Sequence, residues 1–304
     1  MGRLERNRRK RIIRRTAMAV CALVFCVSLS MFIYRSSQNK ASRAASDEAA
    51  IIAGVEISVP VPVEIEKPVE ELPSGEIEII DEDVPKAEGP AVLLDADPVA
   101  ASLAEMDLEA LRETNPDVIG WILIPGTLVN YPLMQGDDNQ YYLNHTWQKE
   151  YNFAGSIFVE CQCLPDFSDF NTIIYGHRMS NTNMFGALSS YKKQDFLDTH
   201  PSVYIRLDDC VRRYDVYAAL ESKITDCIYW VRYDEERYKQ KVIDFAIENS
   251  VVDAGITPGS QDRLITLSTC TGSGHATRWV VQAVLVGEMK TAEAPENPRL
   301  EGGD

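Results

Sequence analysis

The segment RLITLSTC, residues 263–270, decides how this chain is interpreted. Its first half has the β-branched and apolar composition of a strand, and small hydroxyl residues then lead to Cys270. A Gly-containing stretch, TGSGHAT at 271–277, follows, and Arg278 opens a second apolar run. A thiol at a strand end is either a small core residue or a nucleophile, so the surrounding chain must separate these two interpretations.

The pattern around this segment predicts a mainly β fold. Short runs rich in β-branched and aromatic residues recur at 120–125, 128–133, 155–160, 171–176, 202–207, 212–220, 262–268 and 278–286. Helical spacing is confined to a helix after Pro98, a short segment at 183–191 and a longer one at 234–250. About eight short strands with few helices indicate a closed or nearly closed β-barrel, with the long helix before the strand that carries Cys270.

The ends of the chain predict a membrane anchor and a spacer. Residues 1–16 are basic, and 17–34 are 18 uncharged residues, close to the ~20 that span a bilayer as a helix. Residues 35–97 are interpreted as an acidic, Pro-rich linker, 98–289 as the folded domain and 290–304 as a disordered tail. The basic cluster predicts a cytoplasmic N-terminus and an extracellular domain. Because ASRAAS at 41–46 resembles a cleavage site, removal of the segment as a signal peptide is the alternative.

Charge and cysteine content restrict the partners. The chain has a net charge of −16, and residues 1–15 contribute +7 of it, so −23 remains on the rest. Such an acidic body repels phosphate backbones, which argues against nucleic-acid binding. The pattern CQC lacks the spacing of redox or zinc motifs, so we expect no metal site. Four cysteines of the exported part are interpreted as structural thiols whose pairing is left open, namely Cys161, Cys163, Cys210 and Cys227.

A nucleophilic thiol needs a partner for its proton and a donor for the oxyanion. His177 directly follows the strand-like run NTIIYG, where a rigid strand end can aim a side chain, whereas His145, His200 and His275 lie in turn-like or Gly-rich settings. A hairpin after Cys270 would bring Arg278 close to the thiol, and its guanidinium stays charged. The alternative for Arg278 is a solvated charge at a strand start.

The motifs NTIIYGH and LITLSTC, with an Arg that opens the last apolar strand, resemble those of the sortases, membrane-anchored cysteine transpeptidases of Gram-positive bacteria. The resemblance covers about 98–289. The segments GSIF, YGHRM and MFGAL and the helix at 234–250 resemble class B in particular. The resemblance implies the sortase β-barrel with an N-terminal helix, and a reaction that exchanges one amide for another without cofactor, ATP or metal.

By the same resemblance, Cys270 matches the nucleophile, His177 the general acid/base and Arg278 the cation that stabilises the oxyanion and positions the substrate. The implied reaction cleaves a C-terminal sorting motif of secreted surface proteins after Thr. It passes through a thioester to an amino group of a peptidoglycan precursor of the lipid II type. Some class B enzymes carry an acidic residue after the nucleophile, where this chain has Thr271. Four more positions match the substrate groove: Asn139, Leu143, Tyr175 and Ser268.

Three other functions stay open from the sequence alone. A pilin polymerase would use a Lys of another subunit as the acceptor. A cysteine hydrolase would release the free acid. A non-catalytic surface binding protein could use the same barrel, although the combination of Cys, His and Arg argues against it.

Overall fold

A computed structural model describes residues 2–54, 92–94, 96–179, 182–270 and 277–291 of the 304-residue chain. Most of the predicted linker, 55–91, and nearly all of the predicted tail, from 292 onward, therefore lie outside the described residues. The loop that follows Cys270, residues 271–276, also lies outside them.

All eight strand-like runs of the sequence form strands, and a two-residue strand precedes them. In chain order the strands are β1 Val92–Leu93, β2 Val118–Leu123, β3 Asn130–Met134, β4 Ile157–Val159, β5 Asn171–Tyr175, β6 Ser202–Arg206, β7 Cys210–Lys223, β8 Leu264–Cys270 and β9 Thr277–Lys290. The structure confirms the prediction of a mainly β fold.

The strands close into a barrel because β9 has partners on both sides. The order is β9-β7-β6-β2-β3-β4-β5-β8, and β8 then pairs with β9 to complete the ring of eight. The pairs β3–β4 and β5–β8 are parallel, and the other pairs in the ring are antiparallel. The short β1 adds to β9 in parallel, outside the ring. Closure leaves no exposed edge in the ring, which is how small β proteins avoid edge pairing.

The core follows from the apolar strand composition. One cluster of fully buried side chains, including Ile122, Leu133 and Val203, joins β2, β3 and β6. A second cluster lies beneath the N-terminal helices and includes Trp121 and Tyr142. A third lies beneath the long helix and includes Val242, Ile243 and Ala246. Every ring strand thus contributes residues that are buried on at least one face, which is consistent with a barrel packed against helices.

Within the described residues, five helices accompany the barrel: α1 Gly2–Ile52, α2 Pro98–Ala104, α3 Leu108–Arg112, α4 Gln194–Thr199 and α5 Glu236–Asn249. Three 3-10 segments lie at Tyr141–Leu143, Phe185–Lys192 and Cys227–Tyr229. The predicted helix after Pro98 is two short helices, because Asp97 and Asp107 each accept backbone N–H bonds and cap a new helix. The predicted long helix before β8 is confirmed as α5.

The linker assignment for 35–97 is wrong at its start, because α1 continues to Ile52. A stripe of small residues at helical spacing, Ser42, Ser46, Ala49 and Ala53, is buried against the domain. The indole Nε1 of Trp147 donates to the Ala45 carbonyl at 2.7 Å, and Arg43 donates to the Leu128 carbonyl at 3.0 Å. Short side chains allow this close helix contact. The sequence interpretation did not use the helical spacing of these small residues.

The N-terminal part of α1 is the described helix whose length and apolar composition would allow it to cross a bilayer. Its apolar side chains between Met18 and Tyr34 are largely exposed. This finding agrees with the predicted anchor at 17–34 by length and composition only.

Candidate active site

Three predicted catalytic residues meet at one end of the ring because of strand register. Cys270 is the last residue of β8, and its partner across the β8–β9 ladder is Arg278. On the other side, β5 runs parallel to β8 with Tyr175 opposite Ser268, and the Gly176 N–H donates to the Ser268 carbonyl at 3.2 Å. Two residues farther along each of these strands are His177 and Cys270. Strand register therefore places the backbones of His177, Cys270 and Arg278 side by side, on three neighbouring segments of the same chain at one end of the ring.

Two glycines allow the chain to pack closely around His177. A Cβ on Gly176 would lie 2.8 Å from the Phe185 ring, so the residue before His177 must be small. Gly155 has φ +60°, and a Cβ there would lie 2.7 Å from the backbone oxygen of Leu143. Only glycine accepts both that conformation and that approach without strain. The two positions hold β5 and the 3-10 segment Tyr141–Leu143 against β4.

The imidazole of His177 is oriented by a backbone carbonyl. Its Nε2 lies 2.7 Å from the Leu143 oxygen. Because a carbonyl oxygen only accepts, Nε2 carries hydrogen in this arrangement. The His177 carbonyl in turn accepts the Phe185 N–H at 3.0 Å. Leu143 thus contacts His177 through its backbone oxygen, and the residue is 41% exposed.

Arg278 is half-buried at the start of β9. Its Nη1 donates to the Thr277 carbonyl at 3.1 Å. In the sheet, Arg278 pairs with Ser222 of β7 on the side of β9 that faces away from Cys270. The following residue, Trp279, is buried and donates from Nε1 to the Leu188 carbonyl at 2.7 Å. The β9 backbone at Arg278 is therefore fixed on both sides, which limits where the guanidinium can reach.

Two predicted groove residues, Asn139 and Tyr175, meet at a carboxylate that the sequence interpretation missed. Asn139 Nδ2 donates to Glu160 Oε1 at 2.6 Å, and the Tyr175 hydroxyl donates to Glu160 Oε2 at 3.0 Å. Burial, and then the charge of Glu160, raises the pKa of Tyr175 far above its usual value. The one sequence signal for Glu160 is a charged residue at the end of the apolar run GSIFV.

The fourth groove residue, Ser268, is buried, and its hydroxyl lies 2.8 Å from the hydroxyl of Tyr229. Tyr229 belongs to the 222–233 region, whose residues the sequence did not assign individually. Ser268 therefore faces a tyrosine of the chain itself. The seven predicted site residues thus lie on or directly beside β5, β8, β9 and the 3-10 segment Tyr141–Leu143, with Cys270 located by its backbone.

Two of the other histidines take part in local contacts, and His275 lies outside the described residues. His145 stacks on Tyr141 with ring centroids 4.1 Å apart, and His200 stacks on Phe196 at 4.1 Å. Among the described cysteines, Cys161, Cys163, Cys210 and Cys227 are unpaired. Burial raises the pKa of Cys163 and of Cys210 to about 12, so both are thiols at neutral pH. Such buried thiols are unreactive packing groups.

Comparison with known proteins identifies the fold and the family. The sortase domain model matches residues 122–286, more than half of the chain. The sortase B of Listeria monocytogenes is 36% identical over 170 residues, which cover 54% of this chain and 67% of that protein. The sortase B of Staphylococcus aureus is 33% identical over 164 residues, covering 53% and 66%. The chain thus spans about two thirds of the length of these relatives.

Solved structures agree. A Staphylococcus aureus sortase B–substrate complex is similar with a TM-score of 0.56 and 31% identity, covering 59% of this chain and 84% of that one. Clostridium perfringens sortase B has a TM-score of 0.56 and 28% identity, covering 59% of this chain and all of that one. Together with the closed barrel, these matches show that the chain belongs to the sortase family of cysteine transpeptidases, with sortase B proteins among its relatives.

Proposed function

We propose that the chain cleaves a C-terminal sorting motif after Thr and transfers the protein to an amino group of a peptidoglycan precursor. Cys270 is the nucleophile, His177 the general acid/base and Arg278 the cation at the oxyanion. The observation that carries the proposal is the register of β5, β8 and β9, in which these three residues share one level at the end of the ring.

In the first half-reaction, the Cys270 thiolate attacks the carbonyl carbon of the Thr. The carbonyl oxygen gains negative charge, which the guanidinium of Arg278 stabilises. The C–N bond then breaks, and the leaving amine takes a proton from His177, so the products are a thioester and a free amine. The bond from His177 Nε2 to the Leu143 carbonyl supports this step, because it orients the ring while Nδ1 exchanges the proton.

In the second half-reaction, an acceptor amine attacks the thioester carbon and gives its proton to His177. The amide forms again and the Cys270 thiolate leaves. Because one amide replaces another, the chemistry requires no external energy source. We propose a precursor of the lipid II type as the acceptor, since the apolar helix, with basic residues before it, would hold the enzyme at a membrane surface.

The sorting peptide would bind along Asn139, Leu143, Tyr175 and Ser268, which lie beside the catalytic residues. Support comes from the exposed side chain of Leu143, whose backbone holds His177. The similar Staphylococcus aureus structure is a sortase B–substrate complex, which supports a peptide substrate for this chain. The N-terminus would lie in the cytoplasm and the barrel outside the cell.

A peptide library built around a Pro-x-Thr core, incubated with and without an added amine, tests this function. We expect cleavage after Thr and an amide product that increases with amine concentration. Release of free acid alone, at every amine concentration, would indicate a cysteine hydrolase instead. Surface proteins isolated from cells provide the second test. Isopeptide bonds between these proteins would indicate a pilin polymerase, whereas peptidoglycan fragments on the Thr support the proposal.

A further inference from the structure

Glu160 is a buried carboxylate beside the groove. It directly follows β4 and is 5% exposed. A charge at such a depth is unfavourable unless hydrogen bonds or an opposite charge compensate it. Within the described part of the chain, no lysine or arginine forms an ion pair with Glu160. Hydrogen bonds must therefore compensate the burial of this carboxylate.

Four donors converge on this carboxylate. Oε1 accepts from Asn139 Nδ2 at 2.6 Å, from the Gln162 N–H at 3.3 Å and from the Cys161 thiol at 3.4 Å. Oε2 accepts from the Tyr175 hydroxyl at 3.0 Å. Gln162 and Cys161 are sequence neighbours of Glu160, but Asn139 and Tyr175 come from distant parts of the chain. Glu160 thus joins the loop before the 3-10 segment Tyr141–Leu143 to the end of β5.

These bonds fix the orientation of both groove side chains. Asn139 donates to Glu160 from Nδ2, while its Oδ1 accepts the Cys161 N–H at 2.9 Å, so the amide plane is held at both ends. Burial and the Glu160 charge raise the pKa of Tyr175, so its hydroxyl keeps the proton that it donates. Its ring also lies beside Phe158, with centroids 5.4 Å apart. Side chains that are ordered before binding do not lose that freedom when a ligand binds.

We propose that Glu160 is a positioning residue for the sorting peptide, holding Asn139 and Tyr175 in the orientation that the peptide binds. It acts through these two residues and through hydrogen bonds rather than through its charge. The inference rests on the proposed function, in which Asn139 and Tyr175 line the substrate groove.

Two variants of the full-length protein test the proposal. Glu160→Leu removes both acceptor oxygens at similar size. Glu160→Gln keeps one acceptor for Asn139, and its amide N–H can donate to the Tyr175 hydroxyl, which accepts as well as donates. Three quantities are measured: KM for the sorting peptide, kcat at saturating amine, and the rate of Cys270 alkylation by iodoacetamide, with the modified site identified by peptide mass. The alkylation rate reports on the thiol without the groove.

We expect Glu160→Leu to raise KM about tenfold or more, while kcat stays within about threefold and alkylation of Cys270 within about twofold of wild type. Glu160→Gln should raise KM by no more than about threefold, which is rescue by the conservative variant. A merely structural role would instead lower kcat, kcat/KM and the alkylation rate together.

An unchanged KM in Glu160→Leu overturns the proposal. So does a Glu160→Gln variant as impaired as Glu160→Leu, because the charge would then be the required property. Should Glu160→Leu not fold, Tyr175→Phe removes the hydroxyl that donates to Glu160 Oε2, and an unchanged KM in that variant would overturn the proposal. Failure of the wild-type protein to form any thioester is a separate result, which refutes the proposed function itself.

Discussion

Gly155 offers a sharp test of how the barrel positions His177, because the chain contains a matched control. Gly155 and Gly255 have nearly the same positive φ, +60° and +66°. A Cβ on Gly155 would lie 2.7 Å from the Leu143 oxygen, the atom that accepts from His177 Nε2, whereas a Cβ on Gly255 would meet nothing within 4 Å. Substitution by Ala therefore imposes the same backbone strain at both sites and a steric contact at only one.

The expected magnitudes follow from these two terms. A left-handed conformation costs a non-Gly residue about 1–2 kcal/mol, and the stiffer unfolded chain offsets about 0.4–1 kcal/mol of this. Gly255→Ala should thus lower the free energy of unfolding by about 1 kcal/mol, which corresponds to a Tm lower by about 2–4 °C. Overpacking against the carbonyls of Tyr142 and Leu143 adds about 1–3 kcal/mol, so Gly155→Ala should lower the Tm by about 4–16 °C.

The catalytic effect should be confined to Gly155→Ala. Displacement of the Leu143 carbonyl by about 1 Å would misplace His177, and such a shift can cost up to ~100-fold in rate. Thermal unfolding followed by circular dichroism, and thioester formation measured below the Tm of each variant, give the two quantities. The reasoning is refuted if Gly155→Ala matches Gly255→Ala in both Tm and rate.

Further predictions concern Arg278, Trp147 and Glu288. Arg278→Lys should lower the rate of thioester formation by about 10-fold or more in a stopped-flow assay, since Lys lacks the planar fork; a wild-type rate would exclude a role at the oxyanion. Trp147→Phe removes the bond to the Ala45 carbonyl and should lower the free energy of urea unfolding by about 1 kcal/mol, with an unchanged midpoint arguing against docking of α1. Burial opposes ionisation of Glu288, but Arg212 and Lys290 bind its carboxylate and lower its pKa below 4.5. The stability from this group is therefore present above pH 4.5 and lost as the pH falls through the lower, folded-state pKa. Glu288→Gln should weaken this acid dependence in pH-resolved unfolding, and an identical profile would contradict the assignment.

The strands and the proposed catalytic residues were accessible from the sequence because their signals are local. β-branched runs predicted all eight ring strands, and Cys270 and His177 stand at strand ends where composition changes abruptly. Their mutual position was not accessible in this way. It depends on parallel pairing of β5 with β8, segments about 90 residues apart in the chain, and composition does not encode register between distant strands.

Two features were missed for physical reasons that the structure makes plain. The role proposed for Glu160 depends on its hydrogen bonds with Asn139 and Tyr175. These two residues lie far from each other in the sequence and are brought together by the fold. The second half of α1 was assigned to the linker together with the acidic, Pro-rich segment that follows it, although residues 35–52 contain no proline. Its buried stripe of Ser42, Ser46, Ala49 and Ala53 carries little hydrophobic signal, yet small residues suit close helix packing.

The most direct test of the catalytic assignment is intact mass spectrometry of the full-length protein mixed with a cleavable sorting peptide in the absence of amine. We expect an added mass equal to the peptide acid up to its Thr less one water, located on Cys270, sensitive to hydroxylamine and lost within one turnover when an amine is added. His177→Ala should form this adduct far more slowly, and Cys270→Ala should not form it. Turnover that persists in Cys270→Ala, or an adduct located on another residue, would contradict the account.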